Sequence, residues 1–462
     1  MGHYGDYLVA FLIAGVASYL LTFPVRWLAS ATGAVDEPSE LHIHDRPLPV
    51  IGGLAMCGAF IVAIVISGLL PQLHDIYRDS FEPAGVLLAG VVVYLVGLID
   101  DLREISAPAK VAGQVLAAMV LVVLGVTSYY FKLPFDPVPI TLSASALPLV
   151  TAAWVVGMTN AVNLIDGLDG LAAGIIAIAS GSLCIYGIWL IHVGDLPSNN
   201  LGPLVAATTC GIAIGFLPHN FHPAKIIMGD GGALFLGLQM AVATMLIGGR
   251  VADSSAGRSI DVSGLTFFRF APLFIPFVIL GVPIIDMTFA IIRRTARRAS
   301  FAERDLGHLH HRLIRLGHGH RRAVLILWAW TAVLSAFVLL PVLDSSANAF
   351  VPIGVGVLGV VLYTLFRPAG SSAESAARRH RHPVEGDLDS ESPASAPSAA
   401  TIPVTVSGAI GHAVAGEPDR SFEPRPTRRQ HSSRRKTRLF RTAQVTTTEQ
   451  IRTGDGDGEV PG

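Results

Sequence analysis

Residues 85–110 read GVLLAGVVVYLVGLIDDLREISAPAK, and this stretch decides the architecture. The apolar run Val91–Ile99 carries no charge and ends on Asp100-Asp101, with Ser106 and Lys110 close behind. Adjacent carboxylates at a membrane helix end are costly unless they face water, a cation or a phosphate partner. The same alternation of long apolar run and short polar loop recurs in both directions. It predicts eleven spans, at 7–28, 51–70, 85–99, 108–126, 146–163, 171–191, 201–217, 232–249, 270–292, 323–342 and 350–366. Crossing a hydrocarbon core of about 30 Å takes roughly 17–25 such residues. The third span is short and is expected to extend past its apolar run.

Composition agrees. The chain has 462 residues, with 33 Lys+Arg against 34 Asp+Glu. Residues 1–366 carry 41 of the charged side chains and residues 367–462 carry 26, about 11% and 27% of each part. The first value is far below the ~25% of an average soluble protein. That excludes a soluble globular enzyme and predicts an all-α, polytopic integral membrane protein. Residues 1–366 form its membrane domain. Residues 367–462, rich in Ala, Pro, Ser and Arg, read as a disordered cytoplasmic tail whose basic stretch 425–441 suits anionic lipid or a partner. Cys57, Cys184 and Cys210 lie in apolar segments without metal-ligand spacing, so neither a zinc site nor a disulfide framework is expected. The N-terminus has no basic region before Tyr7–Leu21 and does not read as a cleaved signal. The near-neutral total gives no reason to expect nucleic acid as a partner.

An odd number of spans puts the termini on opposite sides, and the Lys/Arg bias orients them. With the N-terminus outside, the inside segments carry Arg26, Arg46, Arg103, Lys110, Lys225 and nine arginines between 293 and 322, which is 14 of the 19 basic residues in the membrane region. The outside segments carry Arg78, Lys132, Arg250, Arg258 and Arg269. The same orientation gathers the polar sequences 36–53, 100–110, 160–170, 219–232 and 303–312 on the cytoplasmic side, which points to one site built from distant loops. Segment 127–145, broken by Pro134, Pro137 and Pro139, reads as an outside loop with a short hairpin. An ion-coupled transporter of an anionic sugar or lipid would instead place its ionisable groups along a midplane path and show an internal repeat, and no useful repeat is visible. A scaffold recruiting partners through its tail is the other rival.

Each polar loop has a chemical reading and a plainer one. Asp100 and Asp101 can hold a divalent ion or act as a base; they can also be a solvated stop beside Arg103. Asn160, Asn163, Asp166 and Asp169 recur every three residues, which keeps the first of them near one helix face until Gly167 and Gly170 distort it. Such amides and carboxylates suit sugar hydroxyls, a uracil edge or metal-bound water, or form Asx turns at a helix end. Met228-Gly229-Asp230-Gly231-Gly232 allows close backbone approach to an anion, with Asp230 as a magnesium ligand. It is not a Walker loop, which ends in Gly-Lys-Ser/Thr. His219, Asn220 and Lys225 are weaker donors just upstream. His308, His310, His311 and Arg312 are natural phosphate and carboxylate partners. A zinc site there would need a fourth ligand that no cysteine supplies, and a basic loop that merely fixes topology is the plain alternative. His42, His44 and Arg46 can meet an anion in the first inside loop, where Pro47, Pro49, Gly52 and Gly53 shape a turn. Asp36 and Asp286 are weaker carboxylate candidates.

In this order and on these loops, the clusters over roughly residues 5–366 resemble the polyprenyl-phosphate N-acetylhexosamine-1-phosphate transferases. The interrupted His308-x-His310-His311-Arg312 run looks like the GlcNAc branch. The phospho-MurNAc-pentapeptide branch, the alternative, usually has three adjacent histidines followed by Phe-Glu. Only four of the basic residues are lysine; this bias and the Arg/Pro/Ser tail look actinobacterial. The resemblance then implies transfer of GlcNAc-1-phosphate from UDP-GlcNAc to decaprenyl or undecaprenyl phosphate at the plasma membrane, releasing UMP and feeding arabinogalactan linker synthesis. It implies Mg2+, with Mn2+ as a substitute, and a homodimer. It implies Asp230 as first metal ligand with Asp101 assisting, and Asp100 as base or orienter of the lipid phosphate. Asp166 and Asp169 complete the catalytic carboxylates on the nucleotide side. The substrate-binding set is His42, His44, Arg46, Lys110, Asn160, Asn163, His308, His310, His311 and Arg312.

Overall fold

The computed structural model describes residues 5–36, 47–71, 73–78, 80–131, 140–250, 318–343 and 350–366, with isolated positions between 281 and 313. The chain divides into units Met1–Glu385 and Gly386–Gly462, and every described residue belongs to the first. The helices are α1 (Gly5–Thr32), α2 (Gly53–Ser67), α3 (His74–Arg78), α4 (Glu82–Arg103), α5 (Ala107–Val123), α6 (Ala146–Ile165), α7 (Leu171–Val193), α8 (Gly202–Asn220), α9 (Gly229–Gly248), α10 (His320–Leu343) and α11 (Phe350–Phe366). Two short antiparallel ribbons join β1 (Val35–Asp36) to β2 (Leu48–Pro49) and β3 (Tyr130–Phe131) to β4 (Ile140–Thr141). The second is the hairpin expected within 127–145.

Helices occupy ten of the eleven expected segments; the ninth, 270–292, lies outside the described residues apart from isolated helical positions, as does the expected tail at 367–462. Among the described residues, seven helices (α1, α4, α6, α7, α8, α9 and α10) are long and apolar enough to cross a membrane by length and composition, while α2, α5 and α11 are shorter. The protein is thus an all-α polytopic membrane protein. The third segment does outrun its apolar core: α4 continues past Ile99 to Arg103, so Asp100 and Asp101 stand in its last turn.

Helix α9 is the axis of the bundle, buried along its length and packed against α2, α4, α6, α7 and α8. Such contact requires small residues, as it does between membrane helices generally. Gly53 of α2 and Gly97 of α4 abut the backbone of Gly231 and Gly232, and a Cβ at either would collide with it. On α1, Ala10, Ala14, Ser18 and Thr22 face inward while Leu8, Leu12, Val16 and Leu20 are exposed. Ser18 fixes that face by donating to the Ile212 carbonyl of α8 at 2.9 Å. Polar groups close both ends of the bundle. At one end Arg250 pairs with Glu82 at 2.5 Å and donates to the Gly125 carbonyl at 2.7 Å. At the other, the C-terminal ends of α4, α6 and α8 meet the N-terminal ends of α9 and α10.

Candidate active site

Asp230 lies in the first turn of α9, whose leading N–H groups have no partners within the helix. Asp101 supplies them. Its Oδ1 accepts the Asp230 N–H at 2.7 Å and its Oδ2 accepts the Gly231 N–H at 3.0 Å. Carboxylates in the last turn of α4 meet the negative end of that helix dipole. The fold offsets this by turning Asp101 to the positive end of α9 and Asp100 to Lys110. Gly229 makes the approach possible: its φ is +72°, and a Cβ there would press on the Val50 carbonyl and the Asp101 carboxylate. The glycines at 229–232 are expected to admit an anion, and the anion they admit here is Asp101. Residues 49–53 brace the entry to α9, with the Ile227 N–H donating to Pro49 O at 2.8 Å and the Gly53 N–H to Met228 O at 2.9 Å.

Lys110, from the first turn of α5, donates to Asp100 Oδ2 at 2.8 Å and to Asp230 Oδ2 at 2.5 Å. Asp100 Oδ1 also accepts the Ile105 N–H at 2.9 Å, and Asp230 Oδ1 accepts Asn163 Nδ2 at 2.7 Å. Asp166 caps the C-terminal end of α6. Burial, and then the carboxylates of Asp230, Asp101 and Asp169, push its carboxyl well above the usual aspartate range. Among the described residues, Lys110 is the ammonium touching this group of Asp100, Asp101, Asp166 and Asp230. Surplus negative charge in a half-buried site fits a divalent cation bound through oxygen. Asp166 and Asp230 are the carboxylates suited to hold it, Asp230 because both donors on its oxygens, Lys110 and Asn163, are side chains that can swing aside for an ion. Asp101, expected to assist a metal, has both oxygens on the backbone of α9, and Asp100 has both on Ile105 and Lys110.

Asn160, one turn before Asn163, commits its amide NH2 to Gln114 Oε1 and Val156 O, each at 2.8 Å, and so ties α6 to α5. Asp169 stands on the far side of Asp166. Its Oδ2 accepts from His222 Nδ1 at 2.8 Å and the Ala224 N–H at 3.1 Å, while its own N–H donates to His320 Nε2 at 3.0 Å. Asn220 joins this turn to the loop before α9, accepting the Gly170 N–H and donating to Ile226 O, both at 3.0 Å. His219 points elsewhere, with Nε2 3.2 Å from the Tyr19 carbonyl and its ring against Tyr19 and Phe23.

The structure therefore brings together Asp100, Asp101, Lys110, Asn163, Asp166 and Asp230, with Asp169 beside them. His42, His44, Arg46, His308, His310, His311 and Arg312 lie outside the described residues. Sequence reasoning passes over Gln114, His222 and His320. The signal for His222 was its place in His219-Asn220-Phe221-His222-Pro223, just ahead of Asp230; His320, at the head of an apolar segment, gave none.

Fold and site together define a class, a polytopic membrane protein with one clustered carboxylate site at an end of its helical bundle. Comparison with known proteins narrows it. Residues 83–248 match glycosyl transferase family 4. The chain is 39% identical to the decaprenyl-phosphate N-acetylglucosaminephosphotransferase of Mycobacterium tuberculosis, over 70% of this chain and 80% of that one. It is 35% identical to a probable undecaprenyl-phosphate N-acetylglucosaminyl 1-phosphate transferase of Bacillus subtilis, over 69% and 80%. It is 31% identical to a phospho-N-acetylmuramoyl-pentapeptide-transferase of Corynebacterium aurimucosum, over 57% and 86%. The chain belongs to glycosyl transferase family 4.

Proposed function

We propose that the protein transfers GlcNAc-1-phosphate from UDP-GlcNAc to a polyprenyl phosphate, decaprenyl phosphate foremost, giving polyprenyl-diphospho-GlcNAc and UMP. The reaction uses Mg2+ and runs at the cytoplasmic face of the plasma membrane, in a chain of eleven spans with its N-terminus outside. Its product starts arabinogalactan linker or related glycan synthesis. The observation that carries this reading is Lys110 bridging Asp100 and Asp230, with Asn163 and Asp166 alongside, in a chain whose more identical relatives are named as GlcNAc-phosphate transferases. The phospho-MurNAc-pentapeptide reading uses the same chemistry but draws on less identical relatives that cover less of this chain.

An oxygen of the lipid phosphate attacks the β-phosphorus of UDP-GlcNAc; the bond from that phosphorus to the bridging oxygen breaks, and the oxygen leaves with UMP. A phosphate monoester has a second pKa of about 6, so the nucleophile is largely ionised at neutral pH and needs orientation more than deprotonation. Asp100 orients Lys110, whose ammonium meets a phosphate oxygen. Asp101 holds the first turn of α9 so that Asp230 keeps its place. Asn163 fixes the Asp230 carboxylate. Held by Asp230 and Asp166, a magnesium ion would offset charge on the diphosphate and on departing UMP. Incubating the purified protein and Mg2+ with a panel of UDP-sugars and prenyl phosphates, then identifying the lipid product and UMP, tests the reading. GlcNAc-1-phosphate on the lipid is expected. Transfer of phospho-MurNAc-pentapeptide alone would favour the second reading, and no transfer to any prenyl phosphate would overturn both.

A further inference from the structure

Helix α5 carries two polar side chains along its whole length, Lys110 and Gln114, one turn apart on one face. Lys110 belongs to the carboxylate cluster. Gln114 lies one turn further into the bundle and is fully buried. Its Oε1 accepts from Asn160 Nδ2 at 2.8 Å. The same Nδ2 donates to the Val156 carbonyl at 2.8 Å. A carbonyl only accepts, so this bond fixes the orientation of the Asn160 amide and, through it, that of Gln114. Gln114 Nε2 therefore points away from Asn160, and it has no partner among the described residues. A buried amide left half-paired destabilises a bundle that an apolar side chain of the same size would fill at no such cost. Packing does not explain Gln114. Its hydrogen bond is a tie from α5 to α6.

That tie sits one turn beneath the site. Towards the bundle end, Lys110 is the next polar residue on α5, and Asn163 stands one turn beyond Asn160 on α6. These two side chains hold the two oxygens of Asp230, Lys110 on Oδ2 and Asn163 on Oδ1. Asp230 is thus gripped from two different helices, and both contacts last only while α5 and α6 keep their relative height. Aliphatic surfaces let helices slide, whereas a polar pair across a bundle fixes register. On its other side, α5 is seated by Gly113 against Val96 of α4, the helix that carries Asp100. We propose that Gln114 is a positioning residue for the transfer reaction: paired with Asn160, it sets the height of α5 against α6 and keeps Lys110 and Asn163 on opposite oxygens of Asp230. Its effect on turnover rests on the transferase reading above; the geometry it sets does not.

Gln114→Met keeps the side chain's length and volume, and it removes the unpartnered Nε2 together with the acceptor. The unfolding temperature is therefore expected to stay near wild type. Acetylation of Lys110 in the substrate-free full chain reads the geometry directly, with exposed Lys225 as internal reference. Lys110, released from Asp230, should label about 10-fold faster in Q114M, the scale of one lost hydrogen bond. With Mg2+, UDP-GlcNAc and decaprenyl phosphate, kcat should fall about 10-fold while both KM values stay within about two-fold, as misplaced catalytic groups require. Asn160→Leu cuts the same tie from the other side, and the Q114M/N160L double variant should lose no more than either single one. Wild-type turnover in Q114M, additive losses in the double variant, or a rise in one substrate's KM alone would overturn the assignment. So would slower turnover with unchanged Lys110 labelling, or a fall in unfolding temperature that accounts for the whole loss. If the wild type transfers nothing, the transferase reading fails, and Lys110 labelling still decides Gln114: faster in Q114M supports the role, equal removes it.

Discussion

Asp100 and Asp101 are neighbours in sequence with different work. Successive helical side chains point about 100° apart, so one reaches Lys110 and the other reaches the N-terminal end of α9. Asp101 acts as a cap supplied by another helix. Asp101→Ala leaves the Asp230 and Gly231 N–H groups without their acceptor and is expected to cost about 2 kcal/mol, seen as a lower unfolding temperature in detergent together with lost transfer. Asp101→Asn keeps one acceptor oxygen and should fall between Ala and wild type. A raised Mg2+ requirement with unchanged stability would return Asp101 to the metal and contradict the cap.

At the scale of elements, the site depends on how closely α2 and α4 approach α9. Gly97→Ala drives a Cβ into the Gly231 backbone; overpacking of this kind costs about 1–3 kcal/mol and displaces Asp230. Gly157→Ala, where a Cβ meets nothing within 4 Å, is the control and should gain about 0.5–1 kcal/mol from helix propensity. Equal unfolding temperatures and activities for the two variants would remove the close approach from the account. The helices themselves were legible because apolar run length reports them directly, and three of the polar loops, 100–110, 160–170 and 219–232, do meet at one end together with residues 49–53 of a fourth. The division of labour within those loops was not legible. Asn160 and Asn163 share a helix face, yet only a neighbour's position shows that Asn160 meets Gln114 and Asn163 meets Asp230. The glycines at 229–232 looked like a cradle for substrate because nothing in sequence shows that Asp101 fills it. His222 and His320 are 98 residues apart and stack only through the packing of α10.

For the whole molecule, the separation of a carboxylate end from an Arg250–Glu82 end gives the bundle a polarity that sequence charge alone assigns to the two sides of the membrane. A cysteine at Ala144, exposed near the β3–β4 hairpin, should react with a membrane-impermeant maleimide on intact cells. One at Lys225, exposed beside the site, should react only after permeabilisation. The reverse pattern would invert the topology. The central claim, that the cluster around Asp230 carries a direct, metal-dependent sugar-phosphate transfer, is tested most directly with UDP-GlcNAc labelled at the β-phosphate, Mg2+ and decaprenyl phosphate. In purified wild-type protein the label should pass to the extractable lipid in step with UMP release, with none trapped on the protein. Asp230→Asn, inserted in the membrane normally, should give neither labelled lipid nor UMP. Full turnover by the Asp230→Asn protein, or label held covalently on Asp100 or Asp101, would contradict it.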